Sequence, residues 1–376
     1  MEPIVSVLVL LFTFYIMTEV VDKHFIKSLD NIAEWLKLPP SVAGATLLAF
    51  GTSAPEISTA LIALFVTRGG EPGNPATGIG AIVGSAIFQM LVVIGFPAMI
   101  RASKLDWKPI VRDGVSYALS IVMLLFFIAD GKLTLYEGIG FVVGYVVYLL
   151  VMYFWAKYSG EEMFAEEEEP EIEIESTNPV MKVINFVTFP FRWILSLIPD
   201  AQEKPQWTVP VFILSLAIIG YACYWMVIAA EALAGHYGIA PAIIALTILA
   251  GGSSVPEMIS SAIVARQGRG DMAIANAVGS NIFDILMSLG FPVLLFTIMQ
   301  GDIIIPAADA ENINSSVTLL FASLFLVIGL MAVLKFKVGK AFGAFLMILY
   351  CGYVWAAYAN QLGAINQWIL GTLGLS

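Results

Sequence analysis

Ten apolar runs separated by short polar punctuation constrain this chain more than any other feature. They are Ile4–Val21, Ser41–Thr67, Thr77–Ile100, Val115–Ala129, Gly138–Trp155, Val209–Leu233, Pro241–Ala265, Met272–Ile298, Ser316–Leu334 and Ala341–Tyr358. A bilayer crossing takes roughly 20 apolar residues, so ten crossings use most of the 376 residues and leave no room for a separate catalytic domain. Only 12% of the chain is charged, about half the share found in soluble domains. The expected fold is an all-α polytopic membrane protein with ten transmembrane helices. Glu2 stands where the basic start of a cleaved signal belongs, and no small-residue cleavage site follows the run up to Met17. The first run therefore reads as a retained span.

Charge orients the runs, because cytoplasmic loops are enriched in Lys and Arg. Alternate connections hold Lys23, Lys27 and Lys37; Arg101, Lys104, Lys108 and Arg112; Lys157, Lys182, Arg192 and Lys204; Arg266 and Arg269; and Lys335, Lys337 and Lys340. Sixteen of the eighteen basic residues thus share one side, and only Arg68 and Lys132 fall on the other. A wrong span count would scramble that split. The reading puts both termini outside, with short loops that favour a prokaryotic plasma membrane.

The long segment Tyr158–Trp207 falls midway, on the cytosolic side. Glu161–Glu175 contributes nine of the negative charges behind a net charge of −11. It is low in complexity and reads as a solvated linker, with a cation-sensing loop as the sharper alternative. The stretch VMKVINFVTFPFRWILSLIP that follows suits a helix lying along the membrane surface. The expected organisation is a first five-helix repeat over 1–157, the acidic loop over 158–207, and a second repeat over 208–376. With its negative balance the chain carries no nucleic-acid footprint, and nothing points to an obligate protein partner beyond the lipid bilayer. Cys223 and Cys351 both lie in apolar runs and offer neither a disulfide framework nor a cysteine metal site.

Two segments repeat. Gly51-Thr52-Ser53-Ala54-Pro55-Glu56 matches Gly252-Ser253-Ser254-Val255-Pro256-Glu257, and Gly84-Ser85-Ala86-Ile87-Phe88-Gln89 matches Gly279-Ser280-Asn281-Ile282-Phe283-Asp284. Extra loop around Glu71-Pro72-Gly73-Asn74-Pro75 separates the two motifs of the first copy. Helix two runs from inside to outside and helix seven from outside to inside, so the copies are inverted. That arrangement places binding sites at the midplane of secondary transporters.

Glu56 and Glu257 sit deep in apolar helices, where a charge costs at least about 2.5–3.5 kcal/mol. A pair at equivalent positions is better explained by a shared ligand than by two protonated structural glutamates. Pro55 has no N–H for the carbonyl of Gly51, nor Pro256 for that of Gly252, so both helices must kink. Freed carbonyls, the hydroxyls of Thr52, Ser53, Ser253 and Ser254, and two carboxylates make an all-oxygen environment suited to calcium and to sodium. A soft transition metal would want His or Cys, and His24 and His236 read as loop residues. Ser85 and Gln89 are four apart, as are Ser280 and Asp284, and each pair shares a helix face; Asn281 lies on nearly the same face as Asp284. Gly78, Gly80, Gly84, Gly279 and Ser280 permit close helix approach, as packing residues or as ligands.

These motifs, G-[TS]-S-x-P-[ED] followed by a G-S-[AN]-x-[FY] helix, resemble the cation/calcium exchanger superfamily over both repeats. VAGATLLAFGTSAPE and IVARQGRGDMAIANAVGSNIFDIL are most similar to its potassium-dependent sodium/calcium branch. The resemblance implies that Glu56 and Glu257 bind calcium centrally, helped by the backbones of Thr52 and Ser253. It implies flanking sodium sites from Ser53, Ser85, Ser254 and Ser280 with the carbonyls of Ala49 and Ala250, sharing Glu56 and Glu257. Gln89, Asn281 and Asp284 would form a middle or third-cation site, so that Glu56, Glu257 and Asp284 are the expected metal-binding carboxylates. Two departures stand out: Gln89 replaces the usual Asn, and Glu257 replaces the Asp typical of the potassium-dependent branch. Asp284 matches the carboxylate associated with potassium, yet potassium-independent relatives carry an acid there too, and potassium use stays open.

The resulting expectation is a transporter, not an enzyme: a sodium/calcium antiporter working by alternating access, with no cofactor and with calcium, sodium and, as the open third ion, potassium as its cargo. Calcium/proton exchange by the same carboxylates is the alternative. A membrane hydrolase using Ser53 or Ser254 lacks an intramembrane base, and proline-kinked inverted repeats with deep carboxylates speak against a passive channel.

Overall fold

The computed structural model describes residues 1–36, 49–66, 73–105, 107–159, 191–266, 270–359 and 362–372. Helix α1 runs Pro3–Val20, passes through a π-helical turn at Val21–Phe25 and continues as Ile26–Trp35. Helix α2 comprises Ala49–Thr52 and, after a break at Ser53, Ala54–Phe65. Helix α3 comprises Pro75–Phe88, a π turn Gln89–Val93 and Ile94–Ile100. Helices α4 and α5 are Trp107–Ile128 and Leu135–Ser159, and α6 is Thr208–Tyr237. Helix α7 comprises Pro241–Ile244, a π turn Ala245–Leu249, Ala250–Ser253 and, past a break at Ser254, Val255–Arg266. Helix α8 comprises Gly270–Phe283, a π turn Asp284–Leu289 and Gly290–Gln300. Helices α9 and α10 are Ala307–Val333 and Lys340–Tyr358.

These are the ten expected helices. Among the described residues eight segments are long and apolar enough to cross a membrane, and two shorter apolar helices, Ala54–Phe65 and Pro241–Ser253, are pieces of the interrupted α2 and α7. Residues 41–48 of the expected second run, and the acidic stretch Glu161–Glu175, lie outside the described residues. An eleventh helix, α11 (Leu362–Thr372), packs against α9 and was not expected.

Local chemistry sets the ends. Asn74 caps α3 by accepting from the Ala76 N–H at 3.0 Å, with Pro75 in the first turn, where a missing N–H costs nothing. Gly238 ends α6 in the left-handed region at φ 64°, which glycine adopts without steric penalty. Several helices outrun their apolar cores. Helix α9 begins at Ala307 rather than Ser316, because Asp309, Asn312 and Asn314 interrupt the apolar pattern but not the helix. His24 and His236 are accordingly not loop residues: the first lies buried in the π turn of α1 and the second in the last turn of α6. Both cysteines are free, with Cys223 buried in α6 and Cys351 exposed on α10.

Two short antiparallel pairs tie the loops. Strand β1 (Ser103–Lys104) pairs with β4 (Lys337–Val338), and β2 (Lys132–Leu133) pairs with β3 (Ile303–Ile304). Exchanging the two repeats carries the α3–α4 loop onto the α8–α9 loop and the α4–α5 loop onto the α9–α10 loop, so it converts one pair into the other. Each pair joins loops that the charge pattern assigns to the same side. Arg101 adds a third such link, donating to the carbonyl of Arg266 at 3.5 Å.

The apolar interior falls into two clusters. The larger draws on α2–α5 and α7–α10; the smaller is built by α1 and α6, which pack along each other and lean on Ala54, Ala81, Ile244, Ala245 and Leu249. Of the expected surface stretch, residues 180–190 lie outside the described residues, and the part from 191 onward joins the smaller cluster. Residues 191–195 are helical, Leu195 is buried there, and Phe191 meets Phe12 edge-on at 4.4 Å while Trp193 and Leu197 stay exposed.

Candidate functional site

The helix breaks build the site. Ser53 (φ −92°, ψ 10°) and Ser254 (φ −95°, ψ 7°) take nearly the same backbone conformation, two residues before Pro55 and Pro256. The ladder resumes with Ile57 N–H donating to Ser53 at 3.0 Å and Met258 N–H to Ser254 at 3.1 Å. Each break creates a fresh helix N-terminus, and Glu56 and Glu257 lie in the first turns that follow. The positive end of the helix dipole favours a carboxylate there. Both glutamates are buried, at a depth where an unpaired charge is strongly disfavoured.

Close packing brings α2, α3, α7 and α8 around them. A Cβ at Gly84 would overlap the backbone of Leu246, which lets α3 lie directly against the π turn of α7; one at Gly80 would come within 3.1 Å of Ala245 and one at Gly78 within 3.4 Å of Ala60. Gly279, the repeat counterpart of Gly84, has nothing within 4 Å of such a Cβ. The packing role expected of the small residues thus holds for the first repeat and not at Gly279.

A chain of hydrogen bonds crosses the repeats. Glu56 Oε1 accepts from Ser85 Oγ at 3.4 Å and from Ser254 Oγ at 3.3 Å, and the two hydroxyls lie 2.6 Å apart. Gln89 Nε2 donates to Ser85 Oγ at 3.4 Å and to Asp284 Oδ2 at 2.9 Å, while Ser280 Oγ donates to Gln89 Oε1 at 2.9 Å. Ser288 Oγ completes the chain at Asp284 Oδ1, 3.1 Å away. Six of the expected residues, Glu56, Ser85, Gln89, Ser254, Ser280 and Asp284, are therefore joined in one buried network. Glu56 Oε2 and Asn281 Oδ1 are buried without a hydrogen-bond partner among the described residues, acceptors of the kind a cation satisfies.

The other expected residues sit at the margins of this network. Thr52 Oγ1 donates to the carbonyl of Ala49 at 3.3 Å and Ser253 Oγ to that of Ala250 at 3.2 Å. The N–H groups of Ser53 and Ser254 reach the same two carbonyls at 3.1 and 3.3 Å. Both hydroxyls thus turn away from the break and brace the preceding turn. Ser53 is fully buried at its break, and Asn281 Nδ2 bonds back to the Ala277 carbonyl at 2.9 Å. Among the described residues no three acidic, His or Cys side chains are gathered closely enough to hold one ion. An ion held by at most two of these carboxylates would therefore complete its shell with hydroxyl, amide and carbonyl oxygens.

Two features were missed. Ser288 is four residues past Asp284, the same helical spacing as Ser280 before it, and that periodicity was available to find it. The π turns that begin at Gln89 and at Asp284, equivalent positions in the two repeats, carry no composition signal. Such turns mark functional sites in helices.

Comparison with known proteins identifies the arrangement. The family model described as "Sodium/calcium exchanger protein" matches residues 6–154 and 207–359, one stretch for each repeat. Human sodium/potassium/calcium exchanger 5 is 29% identical, over 97% of this chain and 85% of its own length. The putative antiporter CaxA of Alkalimonas amylolytica is 28% identical, over 90% of this chain and 94% of its own. Among solved structures, the H+/Ca2+ exchanger CAX superimposes with a TM-score of 0.65 at 14% identity, over 98% of this chain and 88% of its own. The sodium-calcium exchanger NCX_Mj does so at 0.54 and 24%, over 93% of this chain and 98% of its own. At these identities both structures speak to the ten-helix fold alone. With matches over both halves, this integral membrane protein belongs to the sodium/calcium exchanger protein family.

Proposed function

We propose that the chain is a sodium/calcium antiporter working by alternating access, its two repeats spanning 1–157 and 208–376 on either side of a cytosolic loop. The observation that carries this reading is the buried network in which Glu56 of one repeat takes the Ser254 hydroxyl of the other, 3.3 Å away. Calcium binds between Glu56 and Glu257 with the backbones of Thr52 and Ser253. Sodium competes through the same carboxylates, with Ser53, Ser85, Ser254, Ser280 and the carbonyls of Ala49 and Ala250. Gln89, Asn281 and Asp284 form the middle site.

Coupling follows from electrostatics. Two desolvated carboxylates without a cation cost several kcal/mol each, so the empty carrier is disfavoured from closing, whereas calcium or sodium neutralises it. The moving part is the α1/α6 pair, which packs as its own apolar cluster beside the larger core. Sliding it past α2 and α7 changes which side reaches the site.

Calcium/proton exchange is the second reading, because the same buried carboxylates, Glu56 and Glu257, can take up protons. The four repeat hydroxyls favour sodium, since a proton needs only the carboxylates. The grouping of loops into two sides is supported by the pairs β1–β4 and β2–β3, while the placement of both termini outside a prokaryotic plasma membrane rests on the distribution of Lys and Arg and the short loops.

The test uses purified protein in sodium-loaded liposomes diluted into sodium-free buffer with radiolabelled calcium, against an imposed pH gradient. Uptake that requires the sodium gradient is the expected result. Uptake that ignores sodium and follows pH would transfer the site to proton exchange.

A further inference from the structure

Gln89 opens the π turn of α3 and is completely buried. A primary amide brings two donors and an acceptor, and each buried group left unmet costs about 1–3 kcal/mol. Gln89 meets them inside the site. Its Nε2 donates to Asp284 Oδ2 at 2.9 Å and reaches Ser85 Oγ at 3.4 Å, and its Oε1 accepts from Ser280 Oγ at 2.9 Å. The partners fix the orientation of the amide: turned over, it would set Oε1 against a carboxylate oxygen, acceptor facing acceptor. Asp284 is engaged through both oxygens, because its Oδ1 accepts from Ser288 Oγ at 3.1 Å. Each oxygen of this carboxylate therefore has a protein donor, and the side facing α3 meets an N–H.

We propose that the Gln89 amide is a built-in substitute for a monovalent cation at Asp284, so that calcium/sodium exchange proceeds without potassium. This rests on the antiport reading above and names which third ion the site refuses. A potassium ion bridging α3 and α8 would need the oxygens of Asp284, Ser280 and Ser85 together. Gln89 engages all three, and it presents hydrogen rather than oxygen on the line to Asp284. Reach matters as much as polarity. An Asn here would be shorter by one carbon–carbon bond, about 1.5 Å, and could not span Asp284 and Ser280 at once. Its amide would leave Asp284 Oδ2 open to an ion.

The experiment compares wild type with Gln89→Asn in sodium-loaded liposomes, measuring radiolabelled calcium uptake with and without external potassium. Tracer rubidium binding to the detergent-solubilised proteins is measured in parallel and does not depend on transport. Wild type is expected to take up calcium equally in both media and to bind no rubidium. Gln89→Asn is expected to bind rubidium, to lose about tenfold in uptake without potassium and to regain several-fold with it. Rubidium binding by wild type, or potassium stimulation of its uptake, overturns the proposal. So does a folded Gln89→Asn that stays indifferent to potassium, active or not; Gln89→Ser replaces it if the asparagine variant fails to fold. Wild type that takes up no calcium on a sodium gradient refutes the antiport reading instead, and the rubidium measurement still decides the role of the amide.

Discussion

Glu56 and Ser254 belong to opposite repeats and meet carboxylate to hydroxyl at 3.3 Å, with Ser85 closing the triangle. Neither residue has this partner within its own repeat, so the contact exists only when the two inverted copies are assembled. It makes the site a shared property of both halves, which is what a carrier that exposes one site to two sides requires.

Removing either charge tests the centre. Glu56→Gln and Glu257→Gln keep the volume and abolish the attraction that offsets ion dehydration. Sodium-dependent calcium uptake should fall about a hundredfold or more in each, while gel filtration of the purified variants stays unchanged. Uptake at wild-type rates in either variant would remove that residue from the site.

Ser254→Ala should act more mildly. It deletes a hydrogen bond to a charged acceptor, an interaction of about 1.5–3 kcal/mol, and one proposed sodium ligand, while leaving both central carboxylates. The sodium concentration for half-maximal exchange should rise several-fold more than that for calcium, as read from uptake titrations of the two ions.

The two repeat glycines should respond differently to the same change. Gly84→Ala puts a methyl group into the Leu246 backbone and should destabilise by about 1–3 kcal/mol or force α3 from α7 with loss of transport. Gly279→Ala meets nothing within 4 Å and should be neutral or gain up to about 1 kcal/mol from helix propensity. Thermal unfolding in detergent distinguishes them.

At the end of α1 away from Pro3, Lys27 Nζ holds Asp200 Oδ2 at 3.0 Å, and Asn31 Nδ2 donates to the Ala201 carbonyl at 2.7 Å. Partial burial pushes the Asp200 carboxyl up, but the Lys27 ammonium and the Gln202 and Glu203 N–H groups outweigh it and hold the group below its ordinary value. A carboxyl depressed in the folded state adds stability above its unfolded value and loses it as pH falls through the folded one. Asp200→Asn should therefore cost well under about 1 kcal/mol at neutral pH, since the pair is partly solvated. Its stability should also be less sensitive to acid below about pH 4, as measured by pH-dependent unfolding.

Deleting Glu161–Glu175 should leave the calcium dependence of uptake unchanged, because by composition the stretch reads as a solvated linker. A shifted calcium dependence would instead make that stretch a cation sensor.

Most of the architecture was legible in the sequence because it is written in quantities each segment carries alone. Apolar length gave the ten helices, the distribution of Lys and Arg grouped the loops as the β1–β4 and β2–β3 pairs join them, and the repeated Pro-Glu steps marked both helix breaks. Helix ends were less legible: the polar start of α9 and the continuation of α1 past Val21 do not register as apolar, yet their backbones stay helical. Tertiary structure alone decided which side chains meet. Gln89 and Asp284 are 195 residues apart, and periodicity could place each on a helix face without showing that the two faces confront each other. It likewise could not reveal that α1 and α6 pack as a cluster of their own, or that Gly84 is pressed against α7 while Gly279 is not. Hydropathy reports the environment a segment prefers, whereas contact between segments depends on the rotation and approach of whole helices, fixed only when all of them pack together.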